Sequence, residues 1–228
     1  MANSDNGQIL REVIRGVARE YGWDEFLPAP VEIISLGAAK LDTFNGRFQV
    51  NPDRVLTVKT VSDPRGPAKL VAFPTGDTPF ELLPITEDTF IRRDAGLKYN
   101  FVRSNNTDGA TTATGDYELQ IIAGTGAIPT KRLTAEMLVP YEMLLAGKIA
   151  EGVEAYRKIK KDTPQNVAVG EDRLNNLGYA LVRQGNLPAA IALLKLNVEF
   201  YPNSWNTYDS LAEAYMNSGE KELAIANY

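Results

Sequence analysis

The sequence LGYALVRQGNLPAA at residues 177–190 returns in altered form as LAEAYMNSGEKELA at residues 211–224. The leucine that opens each stretch, an internal glycine and the alanine that ends it all recur at one constant offset, which carries Leu177 onto Leu211. A third copy lies upstream, where Gly147 and Gly152 take the places of the glycine and the alanine at a slightly longer offset. A glycine turn followed at a fixed distance by a small residue predicts pairs of antiparallel helices.

A period of about 34 residues, with small residues where two helices cross and a proline after the second helix, is typical of the tetratricopeptide repeat (TPR). Pro164 and Pro202 hold that proline position in the first two copies. The four extra residues of the first copy fall around 165–170, and Pro140 is expected to kink or delay its first helix. Residues 133–228 therefore predict about two and two-thirds repeats.

Residues 31–132 have a different pattern, in which short β-branched and aromatic runs alternate with turn sequences. Among the runs are VLTV at 55–58, LVAF at 70–73 and YELQI at 117–121, and a typical break is TGD at 75–77. Seven or eight strands at a spacing of roughly ten residues, without helical runs between them, predict an antiparallel barrel or sandwich.

Residues 8–22 place apolar side chains at three- and four-residue spacings, which predicts an amphipathic helix. The stripe consists of Ile9, Leu10, Val13, Ile14, Val17, Ala18 and Tyr21. Leu27-Pro-Ala-Pro30 then predicts an extended linker. The predicted fold class is α+β, with an N-terminal helix and linker (1–30), an antiparallel lipocalin-like β-barrel or sandwich (31–132) and an all-α TPR domain (133–228).

The composition excludes several kinds of chemistry. The 228 residues include no Cys and no His, which removes disulfides, thiol nucleophiles, Cys/His metal sites and triads with an imidazole base. The net charge is -5 and acidic residues are spread evenly, so we expect no nucleic-acid partner. The sequence has no apolar run of the roughly 20 residues that span a bilayer, and no signal-peptide pattern. We expect no cofactor, no metal and no membrane span.

Three short patterns together imitate a serine acyl-transferase. Ser218-Gly-Glu-Lys221 fits S-x-x-K, and Tyr201-Pro-Asn203 and Tyr215-Met-Asn217 both fit Tyr-x-Asn. The serine falls on the predicted turn between two repeat helices, whereas a nucleophile of this class needs the start of a buried helix beside an oxyanion hole. We therefore predict a turn role for Ser218 and no catalytic residue in this chain.

The β domain offers an alternative function, which is the binding of a small apolar ligand inside a barrel. Five aromatic residues are candidates for its lining: Phe73, Phe80, Phe90, Tyr99 and Phe101. In a barrel of this size, an interior filled by side chains is the expected arrangement.

The order of the parts resembles the C-terminal region of serine hydrolases related to class C β-lactamases and penicillin-binding proteins. Residues 1–7 (MANSDNG), the helix and Gly22-Trp23 resemble the last strand and the terminal helix of that catalytic domain. The stretch LDTFNGRFQV at 41–50 is similar to the opening of the lipocalin-like domain that often follows. Residues 173–179 (RLNNLGY) and 208–215 (YDSLAEAY) are similar to the TPR tail of some members.

In that family the catalytic serine and lysine, the Tyr-x-Asn pair and the later basic motif all precede the asparagine–serine strand, and would therefore lie upstream of Met1. The resemblance thus implies a non-catalytic accessory region that is inert by itself, with any hydrolase activity supplied by the upstream domain. The parent family is often exported or periplasmic.

The helical repeats predict a groove that binds an extended segment of a partner protein. The repeat period places six residues on its concave side: Asn175, Tyr179, Arg183, Asp209, Glu213 and Met216. Some TPR domains hold a C-terminal carboxylate with Lys and Asn where this chain has Asn175 and Tyr179, so we do not expect that mode of recognition. The N-terminal stripe and the incomplete last repeat predict self-association.

Overall fold

The structure, a computed structural model, describes residues 7–27, 31–62, 64, 66–93, 97–103 and 117–227. It is a mixed α+β fold, in which a nearly closed nine-stranded antiparallel barrel is followed by helices. The strands are β1 (Gly46–Asn51), β2 (Arg54–Val61), β3 (Lys69–Pro74), β4 (Phe80–Pro84), β5 (Thr89–Ile91), β6 (Lys98–Arg103), β7 (Tyr117–Ala123), β8 (Gly126–Pro129) and β9 (Lys131–Leu133). The helices are α1 (Gly7–Tyr21), α2 (Ala38–Asp42), α3 (Pro140–Leu145), α4 (Ile149–Asp162), α5 (Glu171–Arg183), α6 (Leu187–Phe200), α7 (Trp205–Ser218) and α8 (Lys221–Asn227).

The barrel is a meander in which each strand from β1 to β8 pairs antiparallel with the next. Its closure depends on the segment that contains β8 and β9, because β8 pairs with β7 while β9 pairs with β1. Thr130 lies between the two strands, and its backbone N–H and its hydroxyl both donate to the Leu119 carbonyl, at 3.1 and 2.7 Å. One segment therefore bridges the two ends of the sheet.

Aromatic side chains fill the interior of the barrel. Phe44, Phe48, Phe90 and Phe101 are at most 1% exposed, and the Phe44 and Phe101 ring centroids are 4.7 Å apart. Of the five aromatic residues considered for a ligand cavity, Phe90, Tyr99 and Phe101 belong to this packed core. Phe80 is half-buried against it, and Phe73 is 37% exposed.

The later helices recur at the same interval as the sequence. Helices α5 and α6 begin at Glu171 and Leu187, and α7 and α8 begin at Trp205 and Lys221, so both starting points move along the chain by the repeat period. The pairs α3–α4, α5–α6 and α7–α8 pack together in chain order. Pro140 occupies the first position of α3, where its missing N–H costs no helical hydrogen bond, and that helix is short.

Glycine permits the close crossing of α5 and α6. A Cβ atom on Gly178 would lie 2.6 Å from Cδ2 of Leu194, a separation that real side chains do not tolerate. Glycine also ends the first helix of each pair, because Gly147, Gly185 and Gly219 have φ values of +77, +74 and +83°.

Helix α1 carries the predicted apolar stripe on an uncovered face. Leu10, Val13, Ile14 and Val17 are between 41 and 61% exposed, whereas Ala18 is buried. Self-association through this stripe stays a prediction. Residues 1–6, the linker residues 28–30 and Tyr228 lie outside the described part of the chain, as does the Ile9 side chain. Within the described residues, the helices are all too short or too polar to cross a bilayer.

Candidate functional site

The predicted groove residues lie on two helices that contact each other, α5 and α7. Three of them, Asn175, Tyr179 and Arg183, are on α5; the other three, Asp209, Glu213 and Met216, are on α7. The structure brings Tyr179 and Glu213 together, with the phenol donating a 2.8 Å hydrogen bond to Oε2. Burial raises the pKa of Tyr179, and the neighbouring Glu213 and Asp209 carboxylates raise it further against the opposing Ser210 hydrogen bond.

The other predicted residues differ in their exposure and in the side of the helix on which they lie. Asn175 is half-buried, and its Oδ1 has no solvent contact and no hydrogen-bond partner among the residues that the structure describes. Met216 is 52% exposed. Arg183, at the end of α5, lines a cavity of about 280 Å³ together with Gly76 and Tyr141, on the side of α5 toward the barrel. Two of the six residues, Asp209 and Glu213, are acidic, and the one cation, Arg183, lies at the border toward the barrel.

A second polar cluster, which no sequence pattern indicates, joins the barrel to the helices. Asp53, in the turn between β1 and β2, is fully buried, and its Oδ2 accepts a 2.8 Å hydrogen bond from Nε of Arg173 on α5. Tyr141 on α3 and Tyr156 on α4 are also fully buried, and the electrostatic interactions between these four side chains place them in one cluster.

The cluster leaves several polar atoms without partners. Asp53 Oδ1, the hydroxyls of Tyr141 and Tyr156, and one guanidinium nitrogen of Arg173 are buried and make no hydrogen bond within the described part of the protein. Burial raises the pKa of Asp53, and the positive charges of Arg173 and Arg54 oppose that shift without cancelling it. Burial likewise raises the pKa of both tyrosines.

The turn between β3 and β4 completes this interface. Gly76, with φ at +72°, lies so close to the helices that a Cβ atom would be 2.4 Å from Cδ2 of Leu177 and 3.3 Å from the Tyr141 ring. Leu177 follows Arg173 by one helical turn, so both barrel turns contact the same side of α5. The two barrel turns therefore pack against α5 at Arg173 and Leu177.

Arg47 connects strand β1 to the segment that follows the barrel. Its guanidinium donates hydrogen bonds from β1 to the carbonyls of Thr134 and Met137 and to the Glu142 carboxylate on α3. Glu142 also accepts a 3.1 Å hydrogen bond from the Val139 N–H, at the beginning of α3. No sequence pattern indicates these contacts of Arg47 and Asp53. Arg47 lies in an ordinary strand, and Asp53 lies in an ordinary turn.

Ser218, the serine of the S-x-x-K pattern, is the last residue of α7. Its hydroxyl donates to the Tyr215 carbonyl at 2.9 Å and lies 3.0 Å from a carboxylate oxygen of Glu220. Lys221 begins the next helix after the Gly219 turn. The hydroxyl is therefore hydrogen-bonded to the last turn of its own helix.

Comparison with known proteins adds little to this geometry. No family model matches the chain, and no curated protein matches it. A chain of known structure titled "MamA AMB-1 P212121" is similar, with 22% identity and a TM-score of 0.26. The match covers 39% of this chain and spans half of that chain. A TM-score this low carries no argument about fold or function.

Proposed function

We propose that the helical region is a TPR-type interaction module, and that its α5–α7 surface binds an extended segment of a partner protein. The recurrence of the helix boundaries at the period of the sequence supports this proposal, since adjacent pairs at such an interval create an extended concave surface. The Tyr179–Glu213 hydrogen bond crosses the two helices at equivalent repeat positions and holds that surface together.

The charge of the surface indicates the chemistry of the partner. Helices α5 and α7 carry four carboxylates, on Glu171, Asp172, Asp209 and Glu213, and two cations, Arg173 and Arg183. Arg173 is paired with Asp53 of the barrel, so the carboxylates outnumber the one remaining cation, Arg183. A basic extended segment is therefore attracted, while an acidic segment or a C-terminal carboxylate is repelled. We expect the affinity to fall with ionic strength because these groups are solvent-exposed or half-buried.

A binding measurement with charge-reversal variants tests this function. We expect a fluorescent, lysine-rich extended peptide to bind the full chain, and Glu213→Lys to weaken binding about tenfold, which corresponds to about 1.4 kcal/mol. Glu151→Lys is the matched control, because Glu151 is an exposed residue on α4, away from α5 and α7. Equal affinities of the two variants, or tighter binding of a glutamate-rich peptide, would contradict the proposal.

We further propose that the chain is a non-catalytic region and that the resemblance to serine hydrolases reflects an accessory role. The engagement of the Ser218 hydroxyl with the end of its own helix supports this interpretation. We expect no turnover of a chromogenic β-lactam or of an esterase substrate above the buffer rate. Turnover that disappears in the Ser218→Ala variant would show the opposite.

A further inference from the structure

One end of the barrel, here called the mouth, is formed by the last residues of β6 and the first of β7. It carries charged side chains directly beyond the apolar interior. Along β6, Tyr99 and Phe101 are buried, and Arg103 follows on the same face because side chains alternate along a strand. Arg103 pairs with Tyr117 on β7, next to the buried pair Phe101 and Leu119. The aromatic layer is therefore followed at this end by a guanidinium and a phenol.

Three further charged residues border this mouth: Lys40, Glu87 and Asp88. Lys40, on the short helix α2, places its Nζ 5.2 Å from the centre of the Phe44 ring and 6.0 Å from that of Tyr117. The Arg103 guanidinium carbon is 5.9 Å from the centre of the same Tyr117 ring. Asp88 lies beside them, since its carbonyl accepts a 2.9 Å hydrogen bond from the Phe101 N–H. A cavity of about 420 Å³ is lined by Lys40, Glu87, Asp88, Asn100, Phe101, Val102, Arg103 and Tyr117.

The mouth carries two cations, Lys40 and Arg103, and two carboxylates, Glu87 and Asp88, and among the described residues the two cations are not paired with these carboxylates. Asp88 Oδ1 accepts hydrogen bonds from the hydroxyls of Thr86 and Thr89, which occupy it in the turn before β5. Within the described part of the chain, neither Lys40 nor Arg103 forms an ion pair with a carboxylate. The hydrogen bond to Arg103 lowers the pKa of Tyr117 against the effect of burial, and the Lys40 charge adds to that decrease.

We propose that this mouth binds the oxyanion head of a small organic molecule, with Lys40, Arg103 and the Tyr117 hydroxyl as the donors. A guanidinium fork and an ammonium group match the oxygens of a carboxylate or a phosphate, which share this chemistry. The organic part of the ligand would occupy the rest of the cavity, because the packed aromatic core closes the interior below. The proposal does not depend on the function of the helices.

Isothermal titration and amide chemical shifts of the full chain test the site with three probes of similar shape: benzoate, phenyl phosphate and benzamide. We expect benzoate or phenyl phosphate to bind saturably and to shift the amides of Arg103 and Tyr117, and the more tightly bound probe identifies the preferred head. Benzamide, which has no negative charge, should bind at least about tenfold more weakly.

Variants assign the binding to these side chains. Arg103→Gln and Lys40→Gln should each weaken the bound anion about tenfold, whereas Lys98→Gln, an exposed lysine at the other end of β6, should leave it unchanged. Unchanged thermal unfolding of each variant excludes a folding defect. The proposal is wrong if neither anion binds saturably, if benzamide binds as well as benzoate, or if all three variants have the same affinity.

Discussion

Replacing Arg173 with methionine should lower the free energy of unfolding at pH 7 by about 3–5 kcal/mol, measured by urea denaturation. The substitution removes the hydrogen-bonded cation that faces the fully buried Asp53 carboxylate. A buried charge without its partner keeps the full cost of its desolvation. Arg157→Met is the matched control, because Arg157 pairs with Glu199 at the surface and should cost at most about 1 kcal/mol.

The loss caused by Arg173→Met should depend on pH. Burial already raises the folded-state pKa of Asp53, so the folded state binds the proton more tightly than the unfolded state, whose pKa is about 3.9. Stability therefore falls as the pH rises from the unfolded pKa through the folded pKa. Without Arg173 the folded-state pKa of Asp53 rises further. The difference in the free energy of unfolding between the variant and the original chain should therefore be small near pH 4 and large at pH 7.

A second substitution separates the charge from the packing. Asp53→Asn in the Arg173→Met background removes the uncompensated carboxylate and should restore much of the lost stability at pH 7. An equal loss at both pH values, with no recovery in the double variant, would mean that the arginine contributes through packing alone.

Gly76→Ala should weaken the packing of the barrel on the helices and lower the stability of the chain. At φ +72° any side chain costs about 1–2 kcal/mol, and the added methyl must also displace the buried Leu177, at about 1–3 kcal/mol more. The measurement is thermal or urea unfolding, combined with proteolysis of the segment between β9 and α3.

Gly124→Ala provides the control for Gly76→Ala. Gly124, in the turn between β7 and β8, has φ at +59° but no atom within 4 Å of the added Cβ, so it should show the backbone cost alone. Leu177→Ala combined with Gly76→Ala should recover part of the steric component in a double-mutant cycle. If both glycine variants lose the same stability, the close contact between turn and helix has no energetic role.

Local pattern predicted most of the secondary structure. The recurrence of glycine, alanine and leucine corresponds to the observed boundaries of α5 to α8, because the close helix crossing at Gly178 and the left-handed turns at Gly185 and Gly219 depend on the residue itself. The alternating apolar runs of the β region likewise predicted antiparallel strands. Seven or eight strands were expected, and the described residues form nine. The segment that closes the barrel is divided at Thr130 into β8 and β9.

The candidate sites were predicted only in part. The repeat period placed six residues on α5 and α7, and the structure joins two of them, Tyr179 and Glu213, by a hydrogen bond. Their role in a binding groove stays a prediction. The period contains no information on the barrel. It therefore did not predict that Arg183 lies at the border between the helices and the barrel. The charged mouth of the barrel was also missed, because Lys40, Arg103 and Tyr117 meet only when α2 approaches the ends of β6 and β7.

The sequence by itself determined the identity and order of the helices and strands, because spacing, glycine turns and β-branched runs act over a few residues. The tertiary structure alone decided that Asp53 is buried against Arg173 and that Gly76 packs on Leu177. These contacts join residues that lie far apart in the chain. Burial and pairing over that distance depend on how complete elements pack, and no local pattern encodes them.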